Sequence, residues 1–123
     1  MSTSPAASFT YKTIALWVLR VLLAALFLFA AYMKLSGNPQ MVAEFETVGL
    51  GQWFRTVTGL LELVGSIAIL IPATSILGAG LLLCVDSGAF VAQVAVLHMD
   101  WIHTIVIGAL LAVTIWLQTG KRA

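Results

Sequence analysis

The feature that most constrains this chain is a series of four long apolar runs. They cover residues 14–33, 53–71, 76–96 and 101–117. Each run approaches the roughly 20 residues that a helix needs to cross the hydrocarbon core of a bilayer. Two of the runs carry a carboxylate near the middle, Glu62 in the second and Asp86 in the third. An acid at mid-bilayer costs about 3 kcal/mol on insertion scales, so each carboxylate needs a partner or a function.

The composition supports a membrane protein and excludes several other classes. Of 123 residues, 61% are hydrophobic and 9% are charged, whereas soluble domains average about 25% charged residues. A net charge of +1 gives no electrostatic basis for binding nucleic acid. The single cysteine, Cys84, provides neither an internal disulfide nor a CxxC redox pair. The chain is therefore predicted to be an all-α protein with the lipid bilayer as its solvent.

The segments between the runs predict the domain organisation. Residues 1–13 are polar and rich in Ser and Thr, which favours a disordered N-terminal tail. The first run is longer than the charge-free core of a signal peptide, about 7 to 15 residues, and contains Arg20, so we expect an uncleaved span. Short connections at residues 72–75 and 97–100 make consecutive helices antiparallel. The sequence thus predicts a four-helix antiparallel membrane domain over residues 14–118, followed by a C-terminal tail at 119–123.

The longest connection, residues 35–52, contains a helical pattern. Asn38-Pro39 is a turn signal, and Pro39 suits the first position of a helix. Apolar residues then recur at helical spacing, at Met41, Phe45 and Val48 among others. The pattern predicts a short amphipathic helix at the membrane surface.

The basic residues predict the orientation in the membrane. Lys12, Lys121 and Arg122 flank the two termini, whereas Lys34 and Arg55 flank the long connection. Three charges against two place both termini in the cytoplasm. All four Trp residues fall near span ends, as interfacial aromatic residues do.

Polar and small residues share one face on each of the first three helices. Because lipid gives a polar face no reason to point outward, these faces should meet inside the bundle. We expect Glu62, Asp86 and Arg20 to be the chemically active groups. The residues expected to line a substrate cavity beside them are Lys34, Gln93, Phe27 and Ser66. The fourth helix is more apolar and is predicted to close the bundle against lipid.

Estimated depths predict an ion pair between Arg20 and Glu62, with Asp86 slightly deeper. One cation would then face two acids, and the cheapest charge state has one acid ionised and one protonated. A structural alternative is a buried ion pair that only fixes the register of the helices. Asp86 is harder to explain structurally, because the pair is neutral without it. It is a candidate proton donor, proton acceptor or ligand group.

Two histidines flank the last short connection, His98 and His103, with Asp100 between them. Such a cluster is able to bind a metal. Since it crosses a tight turn, we favour interfacial histidines and a helix cap from Asp100. No nucleophile motif, phosphate loop or HExxH motif is present, so neither a metal nor a cofactor is expected.

The order of these features resembles a known family. RVLLAALFLFAAYMKL is followed by VGLGQWFRTVTGLLELVGSIAILIP, and the two segments are similar to those of the DoxX and DoxX-like family over about residues 14–117. The resemblance implies a four-span bundle in the bacterial inner membrane. Some relatives are subunits of membrane redox systems, including quinone-linked ones. The positions that carry over are Arg20, Lys34, Glu62 and Gly65.

Two residues depart from the family pattern. Many DoxX-like chains have a histidine where this chain has Gln93, and an apolar residue where it has Asp86. The additional mid-membrane acid suggests a chemistry that the relatives lack.

Three functions fit these observations. The first is a redox- or quinone-associated subunit that works with a redox partner protein and performs no catalysis itself. The second is a membrane enzyme that uses Asp86 and Glu62 for acid–base chemistry on a lipophilic small molecule, such as cyclisation, isomerisation or epoxide opening. The third is a proton-coupled carrier, which four short helices support only as a homodimer. The sequence leaves open whether the chain is an enzyme.

Overall fold

The computed structural model describes residues 5–98 and 101–120, and the side chains of residues 11–98 and 101–119. This part of the chain is almost entirely helical and contains no strand. Its helices are α1 (Pro5–Leu35), α2 (Pro39–Val48), α3 (Gln52–Leu70), α4 (Ser75–Ala92) and α5 (Ile102–Gly120). A 3₁₀ turn, Pro72–Thr74, precedes α4, and a π-helical turn, Gln93–Leu97, extends it.

The predicted architecture of a four-helix membrane bundle is confirmed. In the described residues, four helical segments are long and apolar enough to cross a membrane: Tyr11–Leu35, Gln52–Leu70, Pro72–Leu97 and Ile102–Thr119. They pack in chain order, α1 on α3, α3 on α4 and α4 on α5, and α5 closes the ring against α1. We call the end where α1 begins, α4 begins and α5 ends the termini end, and the opposite end, next to α2, the loop end.

The first helix begins earlier than expected. α1 starts at Pro5, so residues 5–13, predicted to be disordered, are helical, and the predicted start at Ile14 was wrong. Proline suits the first position of a helix, and no glycine or further proline follows before residue 37 to interrupt it. At 31 residues, α1 is about 46 Å long and exceeds the hydrocarbon core of about 30 Å. At the other terminus, α5 extends to Gly120, and residues 121–123 of the predicted tail lie outside the described residues.

The predicted helix in the long connection is α2. The Asn38 side chain caps its start by accepting a hydrogen bond from the Gln40 amide at 3.0 Å, and Pro39 occupies the first turn. Gly49 ends the helix in the left-handed conformation, with φ 84°, which glycine adopts readily. α2 contacts α3, α1 and the π-helical turn, so it lies across the loop end.

The core lies toward the termini end. Its buried side chains are Leu23, Ala24, Phe27, Ile69, Ala79, Leu82 and Leu111. Glycines allow α3 and α4 to approach closely there. A Cβ on Gly65 would lie 2.6 Å from Leu82 Cδ2, and one on Gly78 would lie 2.6 Å from the Ile69 backbone nitrogen. Small residues have this role in membrane helix pairs, and toward the loop end the helices instead surround a cavity.

Candidate functional site

A partly open cavity of about 540 Å³ occupies the loop half of the bundle. All five helices contribute to its wall, and most of the lining residues are apolar. The polar and charged lining residues are Lys34, Glu44, Thr58, Glu62, Asp86, Gln93, His103 and Thr104. Of the predicted site residues, five line this cavity: Glu62, Asp86, Lys34, Gln93 and Phe27. Arg20 and Ser66 do not.

Lys34, not Arg20, is the cation that contacts Glu62. Lys34 Nζ lies 3.0 Å from Glu62 Oε1, and both side chains are largely buried. This oxygen receives no hydrogen bond of good geometry in the described part of the chain, so the contact is an ion pair rather than a directed hydrogen bond. Arg55 supports Lys34 from α3 by donating to its backbone carbonyl.

Arg20 lies at the termini end, and the predicted Arg20–Glu62 pair was wrong. Its Nε donates to Ser75 Oγ at 3.1 Å, and its Nη2 donates to Gln118 Oε1 at 3.0 Å. The reason is the direction of helical side chains, which tilt toward the N-terminus of their helix. On α1 this tilt carries Arg20 away from mid-membrane and brings Lys34 toward it.

α5 is not the apolar closing helix that we expected. Thr104, Thr114 and Gln118 are buried on it, and Gln118 binds Arg20. The signal was present in the sequence as a stripe of polar or small residues at helical spacing, with Gly108 between the two threonines.

Asp86 projects into the cavity without a hydrogen-bond partner, and His103 is close enough to interact with it electrostatically. It is 6% exposed, and its carboxylate receives no hydrogen bond from the residues that the structure describes. Gly108 of α5 makes room for it, since a Cβ at that position would lie 2.9 Å from Asp86 Oδ2. The carboxylate is therefore held between α4 and α5, with its free side on the cavity.

Gln93 and His103 form the rim of the same wall. Gln93 Nε2 lies 3.3 Å from His103 Nε2, within hydrogen-bond distance when that ring nitrogen is unprotonated. Gln93 Oε1 is buried and has no donor within the described ranges. His103, which we expected to be interfacial, is exposed in the first turn of α5 and also lines the cavity. His98 is exposed where α4 ends, and Asp100, the predicted cap, lies outside the described residues.

Ser66 belongs to the packing rather than to the cavity. It is fully buried, and its hydroxyl donates to the Glu62 carbonyl at 2.6 Å. Serine often satisfies itself inside a helix in this way. It lies one turn from Glu62 toward the core.

The polar wall of the cavity offers more acceptors than donors. Glu44, Glu62 and Asp86 carry carboxylates, Lys34 carries the ammonium group, and Gln93 adds an unpartnered carbonyl oxygen. Buried acceptors without donors are costly. The arrangement suits a mainly apolar molecule whose polar group donates hydrogen bonds.

Comparison with known proteins places the chain in a family. No curated protein and no solved structure matches it. The family model described as the DoxX-like family matches residues 18–117, which include Arg20 and all the residues that line the cavity. The chain belongs to the DoxX-like family of membrane proteins.

Proposed function

We propose that this DoxX-like protein is a quinol-binding subunit of a membrane redox system. The observation that carries the proposal is the unpartnered Asp86 carboxylate on the wall of an apolar cavity. A quinol hydroxyl donates a hydrogen bond to that carboxylate, and the ring and the start of its tail contact the apolar walls.

The size and chemistry of the cavity support a quinol. Small-molecule sites usually have volumes of about 300 to 1,000 Å³, with mostly apolar walls and a few placed polar groups, and this cavity measures about 540 Å³. A quinone has only acceptor oxygens and would leave Asp86 and Gln93 Oε1 without donors. The acceptor-rich wall therefore favours the reduced form.

The role in a redox system is that of a binding and proton-accepting subunit. Oxidation of a quinol to a quinone releases two electrons and two protons. In this proposal the two electrons pass to a partner redox protein, Asp86 accepts one proton, and the second proton passes to water at the open side of the cavity. The membrane is the bacterial inner membrane with both termini in the cytoplasm, as the basic residues around the termini favour.

Binding of a short-chain quinol tests the proposal. The protein in nanodiscs is titrated with decylubiquinol or decylubiquinone, and tryptophan fluorescence is followed; Trp101 stacks edge-on against Phe90 near the cavity, with ring centroids 5.8 Å apart. We expect the quinol to bind about tenfold more tightly than the quinone. Asp86→Asn should weaken quinol binding about five- to tenfold, since hydrogen bonds to charged groups contribute about 1 kcal/mol more than neutral ones.

Ser87→Ala is the matched control. Ser87 neighbours Asp86, is exposed, and bonds only to the Leu83 carbonyl of its own helix. Ser87→Ala should leave the affinities for decylubiquinol and decylubiquinone unchanged. Equal quinol affinity in the wild type and in Asp86→Asn would contradict the proposed hydrogen bond between the quinol and Asp86.

A second candidate is an acid–base enzyme acting on a lipophilic alkene or epoxide. The specific observation is that one cavity has titratable side chains on two walls, Lys34 and Glu62 on α1 and α3 and Asp86 and His103 on α4 and α5. One carboxylic acid protonates the substrate and the other carboxylate takes up a proton as the product forms.

The two candidates are distinguished by whether the purified protein converts a lipophilic epoxide without any other protein. The purified protein is incubated with a lipophilic epoxide such as 1,2-epoxydodecane, and the products are analysed by mass spectrometry. Conversion to a diol or rearranged alcohol by the wild type and by Ser87→Ala, but not by Asp86→Asn, supports the enzyme. Absence of conversion together with tight quinol binding supports the redox subunit.

A further inference from the structure

Arg20 is a buried cation with neutral partners. It is 6% exposed, and its contacts are the Ser75 hydroxyl, the Gln118 amide oxygen and the Trp17 ring, whose centroid lies 4.7 Å from Cζ. The ion pair found in the described residues is Lys34–Glu62, in the cavity. Burying a charge is costly unless it is paired, so the missing counter-charge needs an explanation.

Among the described residues, no acidic side chain is placed to supply that counter-charge. The sequence contains five acids, at positions 44, 46, 62, 86 and 100. The first two lie on α2, the next two face the cavity, and Asp100 falls in the sequence between α4 with its π-helical turn and α5. The described segments that form the termini end contain no Asp or Glu, and two basic residues belong to them, Lys12 and Arg20.

The guanidinium keeps donors free. Arginine has five N–H groups, and the described contacts use Nε and one hydrogen of Nη2. Nη1 makes no hydrogen bond within the described chain. It is also not one of the fully buried side-chain atoms that lack a partner there. The guanidinium group lies over the ring of Trp17, which is 38% exposed, so the Arg20 side chain borders a partly exposed residue.

The contacts of Arg20 lie at two helix ends. Ser75 is the first residue of α4 and Gln118 belongs to the last turn of α5, so the guanidinium group joins those two ends to α1. The start of α4 has no side-chain cap, and the uncapped N-terminus of a helix favours a negative charge beside it.

We propose that Arg20, together with the start of α4, binds the phosphate of an anionic lipid headgroup in the leaflet at the termini end. The planar guanidinium matches the geometry of a phosphate, and partial burial strengthens the attraction. The lipid completes the charge balance of the cluster and bridges α1, α4 and α5. This site is separate from the cavity and does not depend on the proposed quinol function.

Native mass spectrometry of the purified protein in detergent tests the site with three probes: phosphatidylglycerol, phosphatidylcholine and inorganic phosphate. We expect one phosphatidylglycerol to remain bound, with an affinity at least tenfold above that for phosphatidylcholine. Arg20→Gln should lower the phosphatidylglycerol affinity about tenfold. Lys12→Gln is the control, since Lys12 is an exposed cation at the same end and should have less than a twofold effect.

Several outcomes would overturn the proposal. One is equal loss of lipid in Arg20→Gln and Lys12→Gln, which indicates a diffuse basic surface. Another is binding of inorganic phosphate with displacement of the lipid, which assigns the site to a free anion. If Arg20→Gln does not fold, thermal unfolding of the wild type decides: phosphatidylglycerol should raise the melting temperature more than phosphatidylcholine or phosphate, and no difference would contradict the lipid site.

Discussion

Lys34 Nζ lies 3.0 Å from Glu62 Oε1, so the end of α1 is tied electrostatically to the middle of α3. This pair neutralises one of the two mid-membrane acids and leaves the other, Asp86, available on the cavity wall. The division of the two carboxylates into a paired one and a free one is the basis of the proposed function.

The Lys34–Glu62 pair should show thermodynamic coupling that Arg20–Glu62 does not. Lys34→Met alone leaves a buried carboxylate and should lower the free energy of unfolding by about 3 kcal/mol. Lys34→Met combined with Glu62→Leu should recover much of that loss. A double-mutant cycle measured by thermal unfolding in detergent should give a coupling of about 1 to 3 kcal/mol for Lys34 and Glu62.

The corresponding cycle for Arg20→Gln and Glu62→Gln is the control, and its coupling should stay within about 0.5 kcal/mol. A larger coupling in this second cycle than in the first would show that Glu62 interacts with Arg20 and would contradict the Lys34–Glu62 pairing.

Gly108→Ala should disturb Asp86. The added Cβ would lie 2.9 Å from Asp86 Oδ2, so the carboxylate or α5 must move, and we expect a loss of about 1 to 3 kcal/mol in unfolding free energy. The affinity for quinol should also fall in Gly108→Ala, because the Asp86 carboxylate is displaced. Gly80→Ala is the matched control, because a Cβ on Gly80 of α4 meets nothing within 4 Å and alanine is the better helix former by about 1 kcal/mol.

Asp86→Ala in the Gly108→Ala background should restore part of the stability, since it removes the group that the new methyl contacts. If Gly108→Ala is as stable as Gly80→Ala and binds quinol normally, the close approach of Gly108 to Asp86 contributes neither to stability nor to quinol binding.

Two glycines between α3 and α4 should differ in their tolerance of alanine. At Gly65 the added Cβ meets the flexible Leu82 side chain, whereas at Gly78 it meets the Ile69 and Ala68 backbone. We expect Gly78→Ala to be the more destabilising variant, by at least about 1 kcal/mol, because a side chain relaxes more easily than a helix backbone. Thermal unfolding of both variants checks the order; the reverse order would mean that the α3–α4 packing differs from the one described.

Both chain termini should lie on one side of the membrane, opposite α2. In a Cys84→Ser background, single cysteines replace the exposed residues Lys12, Thr47 and Thr119. A membrane-impermeant maleimide added to intact spheroplasts should label the cysteine at 47 and spare those at 12 and 119. Labelling at 12 and 119 but not at 47 would show the opposite orientation. Labelling at only one of 12 and 119 would contradict an even number of spans.

Much of the fold could be predicted because lipid makes long apolar runs and short connections decisive. The four spans and α2, with its Asn38 cap and Gly49 stop, follow from local signals of this kind. The start of α1 could not be placed, because polar Ser and Thr residues continue a helix when nothing interrupts it.

The site was predicted less completely, since shared helix faces do not determine which side chains meet. Glu62, Asp86, Lys34, Gln93 and Phe27 line one cavity, whereas Arg20 and Ser66 do not. The choice between Arg20 and Lys34 depends on the tilt of the side chains along α1, which residue spacing alone does not contain. The buried Gln118 and the room at Gly108 emerge only when α5 is packed against its neighbours.

Photolabelling with a short-chain azidoquinol tests the central claim, a quinol bound beside Asp86, most directly. After irradiation in nanodiscs, the labelled residues are mapped by peptide mass spectrometry. We predict labels on the cavity-lining residues between 81 and 93, in α4 and the first residue of its π-helical turn. Asp86→Asn should lose most of the label, whereas Ser87→Ala should keep it. Labels confined to exposed apolar residues such as Leu77 and Val64, with equal yield in Asp86→Asn, would contradict the account.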